Sequence, residues 1–266
     1  LVKFNDMNIT IEYNKKAYKI NSNNGESISI PMNFNSNNNP KFYDESNPIK
    51  ESYTSNDITY DIEKNAGCNV PVVKFNVHCS GTHTETGAHI FKESQSIGEL
   101  SNLNFIPSRL ITVRPQEQSN DVYHVKYDSD DQVITKKILK NSLDSFSDFL
   151  ECIIIRTLPN NKDKIKFNYN RHTHPFLSND AIYYLKEKTV KHIVIDTPSI
   201  DRSDDGGQLK NHKIFFTNDN TINKNTITEL AFIPNHCIDG RYFTCIGYPK
   251  FHLDAAPSNP VIYKVI

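Results

Sequence analysis

The chain has 266 residues, with 30 Lys+Arg against 31 Asp+Glu and a formal net charge of -1. Surfaces that grip nucleic acid or lie on anionic membranes carry a basic excess or stripe, so this balance argues against both as partners. With 37% hydrophobic and 11% aromatic residues, a chain of this length can bury a proper core, which excludes global disorder. Asn fills roughly one position in eight, which reads as compositional bias. Five cysteines (Cys68, Cys79, Cys152, Cys237, Cys245) form no CxxC pair, so neither a dense disulfide framework nor a zinc ribbon is signalled. The first residues lack the basic and apolar segments of a signal peptide, and the apolar runs fall far short of a membrane span. The expected location is the cytoplasm.

In chain order, residues 7–13 and 17–20 alternate with period two around a polar Asn14-Lys15-Lys16, which predicts a hairpin. A short strand over 27–30 follows. Residues 33–40 are almost wholly Asn and Ser, a long loop that is either a functional cover or disordered. Val70 to His78 is β-branched and predicts an extended segment, running into a polar loop over 79–89. Strands are expected at 122–127 and 132–134. Asn141 is placed to cap a helix from Ser142 to about Leu150, with Leu143, Phe146 and Leu150 on one face. The uniformly apolar run 151–157 (ECIIIRT) predicts a buried strand. A helix over 180–187 and a second buried strand over 191–196 complete a βαβ unit. Residues 212–217, 228–233, 242–247 and 261–265 read as further strands. The expected organisation is one domain over 1–266, with a hairpin and Asn-rich loop over 1–65 and a motif-bearing core over 66–266.

The densest polar constellation is His78-Cys79-Ser80-Gly81-Thr82-His83-Thr84-Glu85-Thr86-Gly87-Ala88-His89. Three imidazoles, a thiol and a carboxylate directly follow an apolar segment. Borderline cations such as zinc take nitrogen, sulfur and oxygen donors together, and Gly81 allows a tight turn that lets donors converge. A polar turn with satisfied histidines is the alternative. Further donors, His212 and Glu229, sit later in the chain beside or within predicted strands.

At this point the residues become recognisable. The segment GTHTETGAH, with His83, Glu85 and His89, resembles the HxGTHxDxPxH signature of the metal-dependent cyclase family, whose best-known enzyme is bacterial kynurenine formamidase. Asp196-Thr197-Pro198-Ser199-Ile200-Asp201 is similar to the family's DTPSxD segment. His212 followed by Thr228-Glu229-Leu230 resembles its downstream His and Glu, and Leu253-Asp254-Ala255-Ala256-Pro257 its closing GxDAxP. Four segments in the right order are more specific than any one. The resemblance implies an α/β single domain of the swivelling β/β/α type, with a mixed, partly barrel-like sheet and outer helices. It also implies a hydrolase with one or two divalent ions (zinc first, manganese second) and a homodimer whose N-terminal strands or Asn-rich loop reach the partner. The implied ligands are Cys79, His83, Glu85, His212 and Glu229, with His89 moving protons during attack on an amide or ester of a small-molecule substrate. The family default is arylformamidase chemistry, N-formylkynurenine to kynurenine and formate.

The sequence departs from the pattern in four places. Cys79 stands where the family has its first ligand His, with His78 one residue earlier as the alternative. If the segment is extended, that shift turns His78 to the opposite face. Glu85 replaces Asp, and Gly87 replaces a Pro, which is expected to loosen the loop beneath His89. The spacing from His212 to Glu229 is long, which a hairpin insertion over 218–225 would explain. A working centre, a centre with one ion or with His78, and a scaffold that has lost metal hydrolysis all remain open. The last is the competing reading, a non-catalytic small-molecule-binding protein. Of the other residues, His172 and His174 form an HxH pair read as a loop before the helix, and Asp196 and Asp201 are read as turn-forming. His124 and His192 are assigned nothing.

Overall fold

The computed structural model describes residues 7–43, 46–117, 119–170, 173–218 and 221–266. Nine strands form the main sheet: β1 (Glu26–Ser27), β2 (His83–Glu85), β3 (Leu103–Val113), β4 (Cys152–Thr157), β5 (His192–Ile195), β6 (Thr226–Glu229), β7 (Gly240–Gly247), β8 (Ala255–Pro257) and β9 (Asn259–Lys264). Their order is β8-β2-β6-β5-β4-β3-β7-β9-β1. The middle four, β6, β5, β4 and β3, run parallel, and both flanks pair antiparallel. This is the mixed α/β architecture expected.

The sheet's centre follows from its sequence. Ile153 and Ile155 of β4 pack on one face with Ile193 and Ile195 of β5, beneath helices α1 (Lys136–Leu143) and α2 (Asn179–Glu187). Cys152, Ile154 and Val194 fill the opposite face with Leu110, Ile233 and Ile262. A strand buried on both faces has no polar side to show, hence the uniform apolar run. Each fully buried Ile contributes roughly 1.5–3 kcal/mol, so these residues outweigh any local propensity in fixing the layer. Ser178 caps α2 by accepting from the Ala181 amide, and β4-α2-β5 is the predicted crossover between adjacent parallel strands.

Several local expectations are corrected. The helix expected from Ser142 instead spans Lys136–Leu143, because Thr135 caps it at the Ile138 amide and Leu139 and Leu143 are the buried pair one turn apart. Residues 122–127 make no strand; Tyr123 and Tyr127 turn their rings onto Phe176 while Val122 stays exposed. Of the stretch 212–217, residues 212–215 belong to helix α3 (Lys210–Phe215), and only Thr217 enters a strand. The strand expected over 70–78 shrinks to an exposed ladder, Pro71–Lys74 on Ile49–Ser52. The first hairpin pairs Asn8–Tyr13 with Lys16–Asn21. The Asn-rich loop is tied by its own amides, with Asn39 buried and bonded to Asn33 and Ser36. Thr217–Asn218 pairs with Thr221–Ile222, giving the insertion its hairpin, although residues 219–220 lie outside the description. Arg171 and His172 also lie outside it, so the HxH pair is described only at His174. Among the described residues no helix is long and apolar enough to cross a membrane.

Candidate metal centre

The site begins with a strand that the sequence reads as loop. His83–Glu85 (β2) is fully buried between β6 and β8, with His83 opposite Glu229 and Glu85 opposite Ile227. Side chains two apart on a strand share a face, so His83 and Glu85 project together, beside Glu229 on the neighbouring strand. Thr84, on the other face, bonds Thr228 and Ser258. His83 Nδ1 lies 3.0 Å from the Gly81 carbonyl and donates to it, which leaves the Nε2 lone pair free of a proton.

Three more imidazoles reach this face. His212, buried on α3, brings Nε2 to 3.0 Å from Glu85 Oε1 and 3.6 Å from Glu229 Oε1. Its Nδ1 lies 2.7 Å from Asp201 Oδ2. His78 places Nδ1 3.4 Å from Glu85 Oε2, and His89 places Nε2 3.9 Å from the same oxygen. Asp254 Oδ2 holds the far nitrogens of both, His78 Nε2 at 2.8 Å and His89 Nδ1 at 3.0 Å. Glu229 Oε1 accepts the Ile200 amide at 2.8 Å, so the Asp196–Asp201 segment anchors Glu229 directly and His212 through Asp201.

The structure brings together His78, His83, Glu85, His89, His212 and Glu229, and sets Cys79 aside. Three overlapping groups of donors have their atoms within 4.8 Å of one another: His78 with His83 and Glu85, His78 with His89 and Asp254, and Glu85 with His89 and His212. Cys79 enters no such group among the described residues and packs with Ile30, Phe42, Tyr169 and Leu230. The reason is local. Asn76 Oδ1 accepts the amides of His78 and Cys79, and the Asn76 carbonyl accepts the Ser80 amide, so the segment is a turn. Only in extended chain would His78 face away, and here the turn brings its ring back to the donor face. Gly87 does not loosen the loop either. It starts a turn, Gly87–His89, capped by Thr86, and a Cβ there would lie 2.8 Å from Ser94 Oγ.

Orphaned atoms mark where a cation fits. His83 Nε2 and both oxygens of Glu85 are buried without a hydrogen-bond partner. Such atoms are costly unless something pairs with them. The rings and carboxylates also perturb one another strongly. Burial opposes protonation of His78, yet Asp254 and Glu85 overcome it and raise its pKa to about 10. His212 is likewise raised against burial, by Glu85, Asp201 and Glu229. Burial pushes the Glu85 carboxyl up, but His212, His78 and His89 hold it well below the usual range; Glu229 is also lowered, by His212 and His83, against burial and the charge of Glu85. Asp254 is depressed by its hydrogen bonds to His78 and His89. Nitrogen and oxygen donors of this kind suit zinc or manganese.

Two contributors escape the sequence reading. Asp201 orients His212 rather than forming a turn, and Asp254 orients two imidazoles at once. Its place in the closing Asp254-Ala255-Ala256-Pro257 segment is the signal that points to it.

Comparison with known proteins follows this geometry. The Cyclase family model matches residues 8–202. Among solved structures, a potential metal-dependent hydrolase with cyclase activity is similar at 20% identity and a TM-score of 0.61, covering 90% of this chain and 98% of that one. Isatin hydrolase A from Labrenzia aggregata aligns at 11% identity and 0.60, over 91% and 94%. A predicted metal-dependent hydrolase from Bacillus stearothermophilus aligns at 19% and 0.58, over 90% and 97%. These likenesses speak for the fold. A search of curated proteins returned no match. With its signature segments gathered on one face and the family model spanning most of its length, this chain belongs to the cyclase family.

Proposed function

We propose that the protein is a metal-dependent hydrolase of a small-molecule amide or ester. The observation that carries this reading is the set of buried donor atoms without a hydrogen bond on His83 and Glu85, facing His78, His212 and Glu229. These five residues would hold one or two divalent ions, zinc first and manganese second. A cation held there polarises a carbonyl oxygen and lowers the pKa of bound water toward neutrality.

The chain's own residues supply positioning and proton transfer. Asp254 accepts from His89 Nδ1, which leaves Nε2 bare and directed toward the donor face. His89 can therefore take a proton from the attacking water at Nε2 and return it to the leaving group. Asp254 fixes His78 in the same way, Asp201 fixes His212 and Gly81 fixes His83, so four rings have their tautomers set by neighbours. Fixed tautomers suit a metal site of either kind, and the bare Nε2 of His89 beside Glu85 is what favours catalysis over a non-catalytic binding scaffold.

The finer assignment is arylformamidase chemistry in a cytoplasmic homodimer, with N-formylkynurenine as the first substrate to test. The structures of isatin hydrolases among similar folds make cyclic amides the second class. The test is elemental analysis of protein purified without chelator, followed by formamidase and lactamase assays. The reading expects near-stoichiometric metal and hydrolysis that chelation abolishes. Metal-free protein, or hydrolysis insensitive to chelation, would overturn it.

A further inference from the structure

The face of β2 opposite the donors carries a network with no charged group in it. Thr84 lies between His83 and Glu85 in sequence and points away from both, directly across from Thr228 on β6. Thr84 and Thr228 are fully buried, and Ser258, just past the end of β8, is 7% exposed. Thr84 Oγ1 stands 2.7 Å from Thr228 Oγ1 and donates to Ser258 Oγ at 2.9 Å. A hydroxyl has one proton, so Thr84, having given its own to Ser258, accepts that of Thr228. The result is a directed chain of hydroxyls from Thr228 through Thr84 to Ser258.

The strands it ties are those that carry the centre. β2 bears His83 and Glu85, β6 ends in Glu229, and Asp254 directly precedes β8. β2 and β8 have three residues each, so their backbone ladders are short. The twist between neighbouring strands ranges over about 10–35°, whereas a coordinated cation tolerates donor displacements of only about 0.2 Å. Backbone pairing alone therefore leaves Glu229 too loosely set against His83 and Glu85. The bond from Thr84 to Thr228 fixes that angle at the residues adjoining the donors.

Packing by itself gives no reason for hydroxyls here. Valine has the shape of threonine and suits a buried strand as well, with no polar atom to satisfy. Buried hydroxyls are costly unless bonded, and a bond holds its partners to one distance and direction. Direction is what threonine adds over valine.

We propose that the Thr228–Thr84–Ser258 chain is a positioning network for the metal centre, setting Glu229 against His83 and Glu85 and so setting the affinity for the cation. The proposal rests on the reading of this face as a metal centre.

Zinc affinity is read by competition with a chromophoric chelator on protein stripped of metal, and donor geometry by the visible spectrum of the cobalt(II) form. Thr84→Val keeps the shape and removes the central hydroxyl. It should weaken zinc binding roughly tenfold, the low end for residues that orient ligands, and shift the cobalt bands. Thr84→Ser, which keeps the hydroxyl, should match the parent in both. In either variant Thr82 still donates to the Leu230 carbonyl, a second tie between the ends of β2 and β6 that preserves their pairing. Ser258→Ala, at the end of the chain nearest the surface, should weaken zinc binding by a smaller factor, and it decides the matter if Thr84→Val does not fold. Parent-like affinity and spectrum in the folded variant would overturn the proposal, even beside a lowered melting temperature. A parent that binds no zinc would overturn the metal reading and the proposal together. A parent that binds zinc beside an unaffected Thr84→Val would overturn the proposal alone.

Discussion

Two regions of this molecule gather histidine with carboxylates, and they use them differently. At the donor face, His83 Nε2 and both Glu85 oxygens are buried without a hydrogen bond, close only to the imidazoles and Glu229. Elsewhere in the fold, His124, Asp201 and Asp205 also bring donor atoms within 4.8 Å of one another. There every carboxylate oxygen is taken. Asp205 accepts the Gln208 and Leu209 amides and His124 Nε2, while Asp201 accepts the Asn211 and His212 amides, the Tyr123 hydroxyl and His212 Nδ1. Composition and proximity alone would rank the two groups alike. Saturation separates them: the first set leaves buried atoms without a hydrogen bond, and the second holds a turn and the start of α3.

The largest expected effect breaks the comparison at its stronger end. Glu85→Ala and His83→Ala should each reduce bound metal to background and abolish hydrolysis, read by elemental analysis and turnover, whereas His124→Ala should leave the metal content intact. Equal losses in all three would erase the distinction drawn here.

His192 offers a third kind of buried imidazole, bonded to the Thr226 hydroxyl at 2.8 Å with no carboxylate in its hydrogen bond. Burial lowers its pKa from 6.5 to about 4. Between those values the unfolded chain holds a proton that the folded chain lacks, so stability falls as pH is lowered through the window. The full span amounts to about 3 kcal/mol. Denaturant melts of His192→Gln should show that much less dependence on pH between 6.5 and 4. A parent-like slope in the variant would contradict the assignment.

A smaller effect separates the two roles of Asp201. Asp201→Asn perturbs the His212 tautomer and should weaken metal affinity by about 10–100-fold, the usual range for a residue that orients a ligand. Asp205→Asn should leave affinity unchanged and cost about 1–2 kcal/mol of stability through the weakened turn. Competition with a chromophoric chelator and thermal melts read the two quantities separately.

What the sequence made legible, and what it hid, divides along the same line. The run 151–157 and the helix after Ser178 are plain, because burial on both faces and side-chain capping leave local signatures. The strand His83–Glu85 is hidden because its two faces carry ligands and a bonded threonine, so it alternates polar with polar. Helix α3 is short, and the side chains that define it, Asn211 and His212, find partners in Asn179, Leu177, Ile200 and Asp201 across the fold. The family resemblance pointed to His83, Glu85, His89, His212 and Glu229, five of the six residues that the structure gathers, with His78 kept as the alternative to Cys79. It could not choose between His78 and Cys79, since that depends on the turn that Asn76 makes.

The smallest effect tests that choice. Cys79→Ala should leave bound metal unchanged and cost about 1 kcal/mol of stability, as expected for trimming a buried side chain among Ile30, Phe42 and Tyr169. His78→Ala should lower the metal content. The reverse pattern would restore the thiol as ligand.

The most direct measurement is anomalous scattering from crystals grown with zinc or manganese. The account predicts a peak within coordinating distance of His83 Nε2, Glu85 and His212 Nε2, and none beside His124 and Asp205. An empty donor face under those conditions, or a peak at the second group alone, would contradict it.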